Sequence, residues 1–192
     1  MSLLNVRIGP GPVSAGIAAI VLASSSCSSP PDTASLICPE VALVRDAMTI
    51  TRFASERGQD LTDVDYAAEL TDVDFQCTFV GGRDQDQTVV VALAPAITAI
   101  RGPANVDRKA TMDYLVSVTD QAQNIITVQR FPVSVDFVGN RNRATVTDND
   151  PPVTVAIPLA PGTSAQNYQI FVAFQLAPEE LEYNRRSQDL RQ

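Results

Sequence analysis

The sequence predicts an all-β chain, a β-sandwich of about seven to nine strands with one short C-terminal α-helix. Three observations carry this expectation. Apolar residues recur at period two, as at Val73, Phe75, Cys77 and Phe79, which places them on one face of a strand. Turn-forming clusters rich in Gly, Asp, Asn and Gln separate the apolar runs, as at 81–86 and 120–124. Only after Pro178 does the period change toward that of a helix. Strands and turns at this spacing fit an immunoglobulin-like sandwich. An antibody-type domain is not expected, because Cys38 and Cys77 are only 39 positions apart and the chain has no tryptophan.

Taken in order, residues 41–44 form a short apolar run. Residues 47–53 alternate, with Met48 and Ile50 opposite Thr49 and Thr51. The segment 64–80 is a long strand, with Asp72, Asp74, Gln76 and Thr78 on the face opposite Cys77. It turns at 81–86 and returns at 88–93, a hairpin. The stretch Arg101-Gly102-Pro103-Ala104-Asn105 breaks the pattern. Strands follow at 113–119 and 125–138, where Pro132 points to a sheet edge or a bulge because it lacks an N–H. Another lies at 153–157. The last, around 168–175, carries apolar groups on both faces and is expected in the middle of a sheet. Pro178 suits the first turn of a helix over 178–189, with Glu179 and Glu180 at its positive end and Arg185 and Arg186 near its negative end. Leu181, Tyr183 and Leu190 give this helix a thin apolar stripe. It is expected to cap the sandwich core, with docking to an envelope protein partner as the other use.

Residues 1–26 have the pattern of an export signal. Arg7 precedes a Gly-Pro-Gly-Pro break and an apolar stretch over 13–23. As a helix that stretch is about 16 Å long, half a bilayer's hydrocarbon core, so it suits a signal peptide and not a membrane span. Small residues then lead to Cys27, and a Ser/Pro-rich tether occupies 27–37. This resembles the lipobox of bacterial lipoproteins, in which the cysteine is acylated and becomes the mature N-terminus. Ser24 stands where lipoboxes carry Leu. Ordinary cleavage after Ser25, giving a soluble periplasmic or secreted protein, is the alternative. Cysteine parity bears on the choice: with Cys27 lipidated, Cys38 and Cys77 are left to pair in an oxidising compartment. The domain then runs from 38 to 192.

Composition excludes several functions. The 192 residues contain no histidine, and Lys109 is the single lysine. This removes His-based triads and His-ligated zinc or haem. A net charge of −8 without a basic run argues against nucleic acid as a partner. Lys109 lies in a charged connector and makes a poor catalytic base, and Gly81-Gly82 is followed by acidic residues that repel phosphate. No enzyme activity and no cofactor are expected. Four Asp-x-Asp pairs, at 63/65, 72/74, 84/86 and 148/150, are the remaining constellation. Two such pairs on neighbouring strands could hold Ca²⁺, which takes six to eight oxygens. The plainer expectation is a solvated acidic face that discourages edge pairing.

The stretches Cys38-Pro39, Asp60-Leu61-Thr62-Asp63-Val64, Arg101-Gly102-Pro103 and Ile157-Pro158-Leu159 resemble those of a family of small secreted lipoproteins of Alphaproteobacteria. The closing block from Phe174 to Arg185 is the most distinctive part of that resemblance. The family implies export and an immunoglobulin-like domain and brings no assigned activity. The expectation is therefore a non-catalytic protein of the cell envelope with a binding or scaffolding role, held to the membrane by a lipid on Cys27. For such lipoproteins, Ser28 after the lipidated cysteine favours the outer over the inner membrane. A calcium-dependent adhesion or carbohydrate-binding module is the alternative.

Overall fold

The computed structural model describes residues 37–54, 60–82 and 86–189. The chain divides into two compact units, Met1–Asp32 and Thr33–Gln192, and all described residues belong to the second. The signal segment and Cys27 lie outside the described residues.

Among the described residues, nine strands and one α-helix follow one another in the order β1 (Glu40–Leu43), β2 (Thr49–Phe53), β3 (Val64–Val80), β4 (Gln87–Arg101), β5 (Lys109–Asp120), β6 (Ile125–Asp136), β7 (Arg143–Thr147), β8 (Val153–Leu159), β9 (Tyr168–Phe174) and α1 (Pro178–Asp189). They form a two-sheet β-sandwich. One sheet has the order β1-β9-β5-β6, and the other has β2-β3-β4 with β7 and β8 sharing the far edge of β4. All pairings between strands are antiparallel except β1 with β9. The inner faces meet in one core that includes Ile50, Leu70, Leu93, Ile97, Tyr114, Val116, Val118, Ile170 and Val172.

Period two explains each strand, and the departures from it are informative. Along β3 the buried residues are Tyr66, Ala68 and Leu70, and beyond them the half-buried ones are Val73, Cys77 and Phe79. The parity changes because Thr71 has no partner on β4: Leu70 faces Ile97 and Asp72 faces Ala96. This one-residue bulge re-aims every later side chain. Beyond it β2 no longer pairs with β3, so Phe75 stays 42% exposed although it shares the face of Cys77.

Strand β4 is longer than its apolar run suggests because Pro95 is accommodated inside it. The Pro95 carbonyl accepts from the Asp148 N–H at 2.9 Å, at the point where the neighbour of β4 changes from β7 to β8. N–H and C=O of a strand residue point the same way, so the missing N–H falls where the ladder is already interrupted. Pro132 is tolerated on an outer strand, since β6 ends its sheet. β9 lies between β1 and β5, with Ile170, Val172 and Phe174 buried in the core and Phe171 and Ala173 half-buried on the outer face. Strand β7 was not foreseen: Arg143-Ala144-Thr145-Val146-Thr147 has only two apolar residues, and its Ala144 and Val146 become half-buried through pairing with β4.

Gly102 is dictated by a close approach. A Cβ there would lie 2.0 Å from the Val64 carbonyl oxygen, while its N–H donates to the Asp65 carbonyl at 2.8 Å. Asn105, buried just beyond, donates to Asp65 Oδ1 at 2.8 Å and to the Lys109 carbonyl at 2.9 Å. The Arg101-to-Asn105 break thereby locks the crossing from one sheet to the other.

Candidate functional site

Cys38 and Cys77 are disulfide-bonded, with Cα atoms 5.9 Å apart. Cys38 stands immediately before β1 of one sheet and Cys77 lies in β3 of the other, so the bond fastens the start of the domain across the sandwich. Such a bond belongs to an oxidising, extracytoplasmic compartment.

The acidic pairs are dispersed. Asp65 accepts from Asn105, and Asp148 Oδ2 accepts from the Tyr114 hydroxyl at 2.5 Å. Burial, with Asp148 adding to it, pushes the Tyr114 hydroxyl far up, so it remains a donor throughout the physiological range. Asp72 Oδ1 accepts from the Val73 N–H at 2.8 Å. Asp72 and Asp74 lie on the exposed face of β3, and the pair at 84/86 falls partly outside the described residues. Among the described residues, no group of three or more Asp, Glu, Cys or His side chains converges as a metal site would require.

A trough of about 460 Å³ opens on the outer face of the second sheet. The register of the four strands builds its floor. Thr51, Ala67, Ile100 and Arg143 lie in one row across β2, β3, β4 and β7, and Thr49, Glu69 and Thr98 lie in the next. Thr98 and Thr145 hydroxyls pair at 2.8 Å and stiffen that row. Thr49, Thr51, Ala67 and Thr98 make the short part of the floor beside Ile100, and Glu69 and Arg143 give it opposite charges. Tyr183, Asn184 and Ser187 of α1 form a wall.

Helix α1 is held there by specific bonds. Pro178 opens its first turn, and Glu180 Oε2 accepts from the Ala177 N–H at 2.7 Å, half of a capping box. The same carboxylate pairs with Arg52 at 3.0 Å. Asn184 is 5% exposed and its Nδ2 donates to the Asp46 carbonyl at 3.1 Å and the Thr49 carbonyl at 2.7 Å. Arg185 meets Asp46 at 3.0 Å, and Tyr183 sets its ring edge-on to Phe53. The helix therefore lies along β2 instead of closing an end of the core. Sequence reading found the helix but missed Asn184. The available signal was a poor helix former in mid-helix, which usually has a partner elsewhere.

No protein-family model matches this chain, and no curated protein matches its sequence. Among solved structures, the variable (V) domain of the AgI/II polypeptide BspA of Streptococcus agalactiae is similar over 70% of this chain and 77% of that chain, at 10% identity and a TM-score of 0.21.

Proposed function

We propose that this protein is exported, anchored to the bacterial envelope by lipid on Cys27, and serves there as a non-catalytic binding or scaffolding domain. The observation that carries the reading is the Cys38–Cys77 bond, which ties down the domain directly after the Ser/Pro tether of residues 27–37. A chain pulled from that end transmits force directly to both sheets. Parity supports the anchor, since the bond takes two of the three cysteines and leaves Cys27. Several acyl chains, at about 0.8 kcal/mol for each buried CH₂, make such anchoring stable. The trough walled by α1 is the surface on offer, and its Thr and Ala floor suits an extended or flat ligand better than a reacting small molecule.

Fractionation tests this. The wild-type protein is expected in the membrane fraction with acylated Cys27 as its first residue, and Cys27→Ser is expected to leave it unprocessed or soluble in the periplasm. A soluble wild-type protein starting at another residue overturns the anchor. Millimolar Ca²⁺ is expected to leave the melting temperature unchanged, because Asp65 and Asp148 already hold protein donors. A rise of several degrees that disappears in an Asp63→Ala, Asp72→Ala double variant would favour a calcium-dependent module.

A further inference from the structure

Among the described residues, strand β6 is the outermost of its sheet and offers an open edge. Its orientation follows from one bond. The Asp113 carbonyl accepts from the Gln175 N–H at 2.9 Å, so Asp113 directs its backbone groups toward β9. Pro132, its partner on β6, therefore faces away from β5, and so do Arg130 and Val128, which follow in unbroken register opposite Leu115 and Ser117. Val128 and Arg130 hold out free N–H and C=O groups, while Pro132 has no N–H to offer. At the other end Ile126 is unpaired in a bulge, since Val118 faces Thr127 and Thr119 faces Ile125. The pairing window is thus bounded by Ile126 and Pro132, and its midpoint is Gln129.

A window symmetric about one residue can pair with itself. We propose that β6 joins β6 of a second copy in antiparallel register about a twofold axis at Gln129, making one continuous eight-stranded sheet. Val128 then exchanges two backbone hydrogen bonds with Arg130 of the second copy, and the symmetric pair exchanges two more. On the outer face Ile126 meets Pro132 of the second copy, and Val128 meets the stem of Arg130. The two Gln129 amides, each both donor and acceptor, face each other across the axis.

Charge argues for a copy of this chain. The chain carries 22 acidic residues, yet none lies between Ile125 and Phe131; the one charge there, Arg130, is balanced by Asp113 of β5 at 3.7 Å and meets a valine of the second copy instead of its own kind. Ile126 and Val128 are 50% and 49% exposed, apolar on an edge that natural sheets usually protect with charge. A five-residue pairing spans only about 17 Å, so the contact is narrow and the dimer is weak and concentration-dependent.

The test uses the full chain carrying Cys27→Ser, in mild detergent. Antiparallel residues in a non-hydrogen-bonded pair have Cα atoms about 4.5 Å apart, within disulfide range. Gln129→Cys is therefore expected to cross-link to itself on mild oxidation, and Ile125→Cys is not. Sedimentation adds a sign test. Val128→Glu sets a second carboxylate against each Arg130, which already has Asp113 beside it, and is expected to tighten the dimer by about 2- to 5-fold, whereas Val128→Lys is expected to weaken it comparably. A generally sticky patch would be weakened by both. Equal cross-linking at both positions, a shift of the same sign for both charges, or a chain monomeric at millimolar concentration overturns the proposal.

Discussion

The outer edges of β2 and β6 lie in opposite sheets and are finished in different ways. The β2 edge is covered: Asn184 of α1 reaches the Asp46 and Thr49 carbonyls, and Glu180 holds Arg52. The β6 edge is only bounded, by a bulge at Ile126 and by Pro132. β2 is protected by residues some 135 positions away, so nothing in Thr49-Ile50-Thr51-Arg52-Phe53 announces it. β6 has its limits written into its own sequence, and they leave a window between them. Covering an edge shields it and creates the trough; bounding an edge leaves it able to recruit a strand. The outer half of β3 shows a third device, with Asp72 and Asp74 on its exposed face and the disulfide at Cys77.

Removing a fastening should cost most where it joins the two sheets, and next where it covers the β2 edge. Loss of the bond in the Cys38→Ser, Cys77→Ser double variant is expected to cost about 2–5 kcal/mol of unfolding free energy, read as a lower urea midpoint. Asn184→Asp turns two donors toward the β2 edge into a carboxylate facing two carbonyls. It should cost about 3 kcal/mol and speed amide exchange in β2, with little change in β6. Glu180→Gln keeps the cap on Ala177 and loses the ion pair with Arg52, which is partly exposed, so about 0.5 kcal/mol is expected.

The smallest effect concerns the turn that leads into β6. Asp120 accepts from the side chain and the backbone N–H of Asn124, and these bonds hold its carboxyl below the ordinary aspartate range. A depressed folded value means that its contribution is fully present above the unfolded aspartate value and is lost as pH falls through the folded one. Carboxyl titration by NMR should report this shift, and Asn124→Ala should move it back toward the ordinary range. If the shift survives that substitution, the turn does not set it.

Much of the architecture was legible because strands bury one face, and burial imposes period two on residues close in sequence. The 64–80 strand follows from that pattern and the central position of β9 from apolar groups on both its faces; the edge position of β6 followed from the missing N–H of Pro132, the 178–189 helix from the change of period after Pro178, and the Cys38–Cys77 bond from cysteine parity and the inward parity of Cys77. Tertiary structure decided what depends on residues far apart in the chain. The bulge at Thr71 sets which face each half of β3 presents, and it exists only in register against β4. The trough arises where outward side chains of four strands align in rows, which strand order and register determine. Asn184 finds two carbonyls on β2, and Tyr114 finds Asp148, through contacts that leave no periodic trace. Local burial writes itself into sequence as a rhythm; a hydrogen bond between distant segments needs only one residue at each end.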